Sequence, residues 1–244
     1  MKYVLLCLHG WGGSKESFAE LRAILEGENV EILTPDLPGF GAEPEPKEPW
    51  NVHDYADWVE EWFQETLRPT PYALRPLHLL GHSHGGRIAL VLAARKTLPV
   101  EHLFLCAAAG IRRPSLKRAL GQALALGGKK ILSLPLIDKL QPTARSVLYK
   151  VLRTHDYERA SPVMQQTLVK VVEEDLTPLL KEITVPTDLF WGEKDTMTPL
   201  RDGRIMHSAI PGSVLHTFAG TGHRVHRDRA LEIAEVIRSH LPAA

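Results

Sequence analysis

The stretch GHSHGG at 81–86 places Ser83 among glycines, after an apolar run and before an apolar helical pattern. In a strand-to-helix context, the G-x-S-x-G pattern forms a strained turn that lifts the serine hydroxyl above a sheet. The N-terminus of the following helix then directs backbone N–H groups toward the reaction centre. A hydroxyl is a weak nucleophile that needs a base within hydrogen-bond reach. Ser83 is therefore a candidate nucleophile whose partners must come from elsewhere in the chain.

Two later segments supply those partners. His223 ends the stretch AGTGH at 219–223, and Asp195 ends WGEKD at 191–195; each stretch follows an apolar run. An imidazole can take the serine proton, and a carboxylate can orient that imidazole. Glu193 is closer to the apolar run and is interpreted as a solvated loop charge. The predicted catalytic group is Ser83, His223 and Asp195.

An acyl-transfer site also needs two N–H donors for the oxyanion. The amide of His84, directly after Ser83, is one candidate. The second is the amide of Trp11 in the loop HGWGG at 9–13, where glycines allow a close approach to substrate. The side chains of Trp11 and His84 are also candidate substrate contacts.

Alternating strand and helix patterns must position these residues. Apolar runs predict six strands, at 3–8, 30–33, 77–80, 102–106, 188–191 and 213–218. Helical patterns predict helices at 16–25, with Ser14 as N-cap, and at 51–67, 85–96 and 229–240. This alternation predicts a doubly wound, mostly parallel α/β sheet with its active site at the carboxyl ends of the strands. Between 111 and 182 only helix-like pieces occur, which predicts a helical insertion.

The chain resembles the α/β-hydrolase superfamily, in its small bacterial esterase-like branch. The matching pieces are HGWG at 9–12, DLPGFG at 36–41, the 81–86 stretch, 191–199 and GTGH at 220–223. The resemblance implies an α/β-hydrolase core at 1–110 and 183–244, a helical cap (lid) at 111–182, a Ser–Asp–His triad and no cofactor. The chain starts directly at the strand before the oxyanion loop, so we expect a minimal sheet of order 2-1-3-4-5-6.

Composition narrows the class of protein. The 244 residues carry 29 Lys+Arg and 29 Asp+Glu, which argues against a globally basic nucleic-acid binder. Two cysteines cannot build a disulfide framework, and no apolar run is long enough for a membrane span. We expect no signal peptide, no nucleic-acid partner, no membrane association and a cytoplasmic monomer or homodimer that acts on a small-molecule ester.

The twelve histidines divide into groups. His9 and His82 are expected to hold loops beside the site. His223 and His226 are three apart but lack a third ligand at metal-like spacing, so we predict no metal site. The remaining histidines outside the catalytic motif are interpreted as surface or packing residues: His53, His78, His102, His155, His207, His216 and His240. Cys7 and Cys106 are expected to be core residues.

Several substrates fit this constellation. The leading prediction is a carboxylesterase acting on small to medium acyl esters. Basic residues outnumber acidic ones in the insertion, either because cap and core attract each other or because Arg112 or Arg113 binds a substrate carboxylate. Such an arginine would suit a C–C bond hydrolase of ring-cleavage diketones; lactonase, thioesterase and perhydrolase activities also fit. A hydrolase-like ligand receptor with slow turnover is the alternative from another class.

Overall fold

A computed structural model of the protein describes residues 2–67, 76–112 and 160–241. Six parallel strands form one sheet of order β2-β1-β3-β4-β5-β6, which confirms the predicted order. The strands are β1 (Tyr3–Leu8), β2 (Val30–Leu33), β3 (Leu77–His82), β4 (Val100–Cys106), β5 (Thr187–Gly192) and β6 (Val214–Phe218).

Helices cover both faces of the sheet, as expected for parallel strands joined by crossovers. The α-helices are α1 (Ala19–Ile24), α2 (Val52–Leu67), α3 (His84–Arg95), α4 (Pro162–Glu173), α5 (Leu200–Ala209), α6 (Val225–Asp228) and α7 (Ala230–Ser239). Short 3₁₀ helices occupy Lys15–Phe18 and Thr177–Glu182. No helix within these described ranges is long and apolar enough to cross a bilayer.

The core has two halves because successive strand residues point to opposite faces. One half packs the strands against α2, α3 and α5, and includes Leu79 and Leu105. The other packs them against α1 and α7, and includes Leu80 and Phe104. Both cysteines are free and buried in the second half, which confirms their expected core placement.

The first helical segment differs from its prediction. Ser14 does cap it, since its hydroxyl accepts a hydrogen bond from the Glu16 amide. The segment then begins as a 3₁₀ turn at Lys15–Phe18 before continuing as α1. The helices α5 and α6 were not predicted. In α5, Gly203 packs directly on the ring of Trp191, a contact that no local pattern indicates.

The predicted insertion leaves and re-enters the core at one place. The Leu176 amide donates to the Gly110 carbonyl at 2.9 Å, and the Arg112 amide donates to Asp175 at 3.4 Å. Residues 113–159, most of the predicted cap, lie outside the described residues. The cap at 111–182 and its boundaries therefore stay predictions.

Candidate active site

Ser83 occupies a strained turn between β3 and α3. Its backbone has φ 52° and ψ −108°, a conformation that a non-glycine residue adopts only when its surroundings impose it. Three backbone hydrogen bonds provide that constraint: the Ser83 amide donates to Cys106, and the Ser83 carbonyl accepts from Arg87 and Ala109. The turn is thus anchored to both α3 and the end of β4.

The glycines around Ser83 are required by close contacts. A Cβ on Gly85 would overlap the Leu8 carbonyl oxygen. A Cβ on Gly81 would lie 2.6 Å from the Gly85 carbonyl oxygen, and one on Gly86 would overlap Ala108. The motif spacing therefore reflects tight packing of α3 on β1, β3 and the end of β4.

The three residues of the predicted catalytic group form a hydrogen-bonded row. His223 Nε2 lies 3.0 Å from the Ser83 hydroxyl oxygen, and His223 Nδ1 lies 2.8 Å from Asp195 Oδ2. The His223 side chain is 14% exposed and that of Asp195 is fully buried. With Nδ1–H donating to the carboxylate, Nε2 is left to accept the serine proton.

Asp195 is kept ionised by its hydrogen bonds. Burial alone would raise its pKa, but hydrogen bonds from His223, Thr198 and the Met197 amide outweigh burial and hold the pKa below its usual value. The Met197 and Thr198 amides donate to Oδ1 at 2.8 and 3.0 Å. The loop after β5 therefore fixes the carboxylate that faces His223.

Thr198 is part of this network and was missed by the sequence reasoning. Its hydroxyl lies 2.8 Å from Asp195 Oδ2, 3.2 Å from His223 Nδ1 and 3.0 Å from the Ala107 carbonyl oxygen. Because a hydroxyl has one proton, it donates to one acceptor at a time. The only sequence signal was a threonine three residues after the aspartate.

The two proposed oxyanion donors belong to segments that meet at Ser83. His84 is the first residue of α3, so its amide is one of the free N–H groups of a helix N-terminus. The loop that carries Trp11 passes close by, since a Cβ on Gly10 would lie 3.2 Å from the Ser83 Cβ. Both placements agree with the oxyanion-hole prediction, which stays a prediction.

The His84 ring is buried in an aromatic row beside the nucleophile. Its centroid lies 5.4 Å from the Trp11 ring and 4.8 Å from Tyr55, and Trp50 lies 5.1 Å beyond Tyr55. Burial lowers the pKa of His84 to about 3, with a further contribution from the charge of Arg87. Neither ring nitrogen has a hydrogen-bond partner among the described residues. The ring is therefore neutral, and its two nitrogens are polar atoms beside the Ser83 turn that no described residue satisfies.

His9 and His82 hold the surrounding loops, as predicted. The Leu37 amide donates to His9 Nε2 at 2.9 Å, and His9 Nδ1 donates to the Gly10 carbonyl at 2.8 Å. His82 Nε2 lies 3.1 Å from the His223 carbonyl oxygen. These bonds join the loops after β1, β2 and β6 at one edge of the sheet.

Of the two arginines predicted to bind a substrate carboxylate, the structure describes only Arg112. Arg113 lies outside the described residues. Arg112 is exposed and lies near Asp175, whose pKa it helps to lower together with hydrogen bonds from Thr177, against the opposing effect of burial. This contact favours attraction within the chain as the role of Arg112. Arg87, which sequence reasoning did not single out, is buried in α3 and donates to the Glu174 carbonyl at 3.2 Å.

Comparisons with known proteins agree with this architecture. A model of the Alpha/beta hydrolase family matches residues 5–236. The pimeloyl-[acyl-carrier protein] methyl ester esterase of Neisseria meningitidis serogroup C is 28% identical over 95% of this chain and 90% of its own. An esterase from Exiguobacterium antarcticum has a TM-score of 0.73 and 24% identity, over 98% of this chain and 91% of that one. MenH from S. aureus has a TM-score of 0.69 and 24% identity, over 97% and 92%.

Proposed function

The chain belongs to the Alpha/beta hydrolase family, and on this premise we propose that it cleaves carboxylic esters of small to medium acyl chain through an acyl-enzyme on Ser83. One observation carries the proposal: His223 bridges the Ser83 hydroxyl and the Asp195 carboxylate with contacts of 3.0 and 2.8 Å. A nucleophile, a base and an orienting acid in contact are the minimum set for acyl transfer.

The first half-reaction forms the acyl-enzyme. His223 Nε2 takes the Ser83 proton as the serine oxygen attacks the ester carbonyl. The amides of Trp11 and His84 stabilise the oxyanion of the tetrahedral intermediate. When the intermediate collapses, the His223 imidazolium gives its proton to the departing alkoxide, which leaves as the alcohol. Asp195 stays ionised and stabilises the imidazolium throughout.

The second half-reaction releases the acid. A water molecule gives a proton to His223 Nε2 and attacks the acyl carbonyl, and the same two amides stabilise the new oxyanion. The returning proton regenerates the Ser83 hydroxyl as the C–O bond to the enzyme breaks. Every step of the proposed mechanism uses groups of the chain and water.

The aromatic row of Trp11, His84, Tyr55 and Trp50 supports a mainly apolar acyl site with polar anchor points. The rings pack edge to face at 4.8 to 5.4 Å, a rigid arrangement that costs little entropy when substrate binds. The neutral His84 ring has one N–H, which has no partner among the described residues and can donate to a substrate oxygen. The methyl ester named for the Neisseria relative supports including small alcohols among the leaving groups.

The proposal is tested with p-nitrophenyl esters from acetate to laurate and with a fluorophosphonate probe that labels activated serines. We expect kcat/KM to peak at a short or medium chain, and the probe to modify Ser83. Ser83→Ala should lower kcat by about 10³-fold or more. Ser208→Ala changes an exposed serine on α5 and is the matched control.

Three results would contradict the proposal. One is a folded Ser83→Ala protein that keeps full hydrolysis or probe labelling. Another is tight ligand binding with turnover far below one per second on every ester, which favours a ligand receptor. The third is turnover of ring-cleavage diketones but of no ester, which would assign the same serine to C–C bond hydrolysis.

A further inference from the structure

A second histidine cluster lies away from the proposed active site, around Asp188 on β5. His102 Nε2 lies 2.8 Å from Asp188 Oδ2, and His240 Nε2 lies 3.3 Å from the same oxygen. His216 Nε2 lies 2.6 Å from the other carboxylate oxygen, Oδ1. Asp188 is the second residue of β5, whereas Asp195 follows the opposite end of that strand. The Asp188 cluster, defined by these four residues, therefore belongs to the amino-terminal half of the sheet.

The cluster gathers residues that are distant in the sequence. His102, Asp188 and His216 come from the neighbouring strands β4, β5 and β6, and His240 directly follows α7. The rings of His102 and His240 are in close contact, with centroids 3.8 Å apart and planes tilted by 34°. This packing brings both Nε2 atoms to one carboxylate oxygen. The arrangement depends on how α7 docks on the sheet.

The donor atoms match the needs of a small divalent cation. One ring nitrogen each from His102 and His240 and one carboxylate oxygen from Asp188 all lie within 4.8 Å of one another. Four-coordinate zinc, with bonds of about 2.0–2.2 Å, needs ligand atoms about 3.3 Å apart. The contacts of 2.8 and 3.3 Å are close to that spacing, so small side-chain rotations would suffice.

We propose that His102, Asp188 and His240 form a site for a divalent transition metal, with Zn²⁺ as the preferred ion. Imidazole nitrogens with a carboxylate suit zinc better than Mg²⁺ or Ca²⁺, which favour oxygen ligands alone. In the metal-free site each Nε2–H donates to Asp188. On metal entry each ligating imidazole gives up its Nε2 proton and carries its single proton on Nδ1, so an Nε2–metal bond replaces the Nε2–H···O contact. A solvent molecule completes the tetrahedron.

Burial and exposure fit such a site. The His102 and Asp188 side chains are 5% and 7% exposed, so two of the three ligands are held rigidly by the core. The His240 side chain is 36% exposed and gives the ion a path from solvent. Next to it, His216, Glu232 and Glu235 line a surface groove of about 530 Å³. Glu232 is paired with Arg229 at 2.9 Å, so the carboxylate of Glu235 is the group that favours an approaching cation.

His216 supports the site without ligating the metal. Its Nε2–H points at the Asp188 oxygen that is turned away from the His240 contact, and its ring stacks on Phe190 with centroids 4.9 Å apart. Metal ligands are commonly oriented by such outer hydrogen bonds. Because the ion would link β4 and β5 to the end of α7, binding should stabilise the fold rather than take part in ester hydrolysis.

The test titrates chelator-treated full-length protein with ZnCl₂ by calorimetry, and repeats the titration with Co²⁺, followed by its visible absorption. The key variant is His240→Gln, because that side chain is the most exposed ligand and its loss spares the core. His207→Gln removes an exposed histidine outside the cluster and is the matched control. His226→Gln removes a buried histidine whose ring centroid lies 3.7 Å from that of His82, and tests for binding at the other end of the sheet. Circular dichroism checks that each variant is folded.

We expect one Zn²⁺ per chain for the wild type, a raised Tm with bound Zn²⁺, and Co²⁺ absorption typical of a tetrahedral site. His240→Gln should weaken binding more than tenfold, and His216→Gln by about 10–100-fold. Both controls should bind like the wild type, and one equivalent of Zn²⁺ should leave any ester hydrolysis unchanged. The inference is overturned if the wild type binds no Zn²⁺, if His240→Gln binds as tightly as the wild type, or if His226→Gln abolishes binding. These readouts do not depend on activity, so they stand whether or not the proposed hydrolysis is found.

Discussion

Each end of the sheet has a buried aspartate in contact with histidine, but the two aspartates have different neighbours. At the carboxyl end, Asp195 faces one imidazole, and the other side of that imidazole meets the Ser83 hydroxyl. At the amino end, the carboxylate of Asp188 receives His102, His216 and His240. The pairing of aspartate with histidine is thus not a signature of one chemistry. A nucleophile beyond the imidazole favours proton transfer, whereas several imidazoles on one carboxylate favour cation binding.

The backbone around each aspartate differs as well. The Asp195 end is built on close contacts between glycines and neighbouring chain segments, such as Gly85 against Leu8. At the amino end, Gly212 precedes β6 with φ 69°, and a Cβ at this position would have no atom within 4 Å. Close packing at one end therefore holds a strained serine, whereas the other end uses glycine only to turn the chain.

The largest expected effect comes from replacing each aspartate in turn. Asp195→Asn should lower kcat for ester hydrolysis by about 10⁴-fold, because an amide at this position holds the imidazole in the wrong tautomer. Asp188→Asn should leave kcat nearly unchanged and abolish Zn²⁺ binding. Steady-state kinetics and calorimetry on both variants provide the measurement. If Asp188→Asn, while folded, reduced kcat as much as Asp195→Asn, the two ends would not be functionally separate.

Glycine substitutions probe the difference in packing. Gly85→Ala should destabilise the fold by about 3 kcal/mol or more, because the new methyl overlaps backbone atoms that cannot rotate away. Gly212→Ala should cost only about 1 kcal/mol, the expense of a left-handed backbone for alanine. Urea unfolding measures both free energies. Equal losses would mean that the contact at Gly85 relaxes easily.

The two ends also differ in how far the sequence predicts them. Each catalytic candidate follows a predicted strand in a short motif, so the rule that parallel strands end at one edge was enough to bring Ser83, Asp195 and His223 together. The Asp188 cluster has no local motif. Its assembly requires the register of β4, β5 and β6 and the docking of α7, which depend on long-range packing. Thr198 was missed for the same reason, since its contacts become visible only when the loop after β5 is folded.

Two buried threonines, one near each aspartate, allow a comparison with a smaller expected effect on kcat. Thr198→Val removes a hydroxyl from the Asp195 network and should lower kcat about tenfold with KM little changed, because hydrogen bonds to charged groups contribute about 1.5–3 kcal/mol. Thr187→Val removes a buried hydroxyl at the amino end of β5, the strand that precedes the Thr198 loop. The Thr187 hydroxyl donates to the Val185 carbonyl. Kinetics should show no change in kcat for Thr187→Val and recovery of activity in Thr198→Ser. Failure of Thr198→Ser to restore kcat would show that the methyl group, rather than the hydroxyl, is what the site requires.

The smallest expected effect is the contribution of two buried histidines at the carboxyl end, His226 and His84, to the pH dependence of stability. Burial lowers the pKa of His226 to about 3, helped by the charges of Arg227 and His223, and burial likewise lowers that of His84 to about 3. The unfolded chain binds protons at these residues near pH 6.5, whereas the folded chain does not, so stability is full above about pH 6.5 and falls with acid. As the pH falls from about 7 to 5.5, each of these two histidines should lower the unfolding free energy by about 1 kcal/mol.

Urea unfolding at these two pH values measures the effect. The loss of unfolding free energy should be smaller for His226→Gln than for the wild type. Phe18→Leu, which changes a ring 5.5 Å from His226, should lower stability equally at both values. An unchanged pH dependence in His226→Gln would mean that the His226 ring is hydrated or charged in the folded protein, and that burial at this end is looser than the contacts indicate.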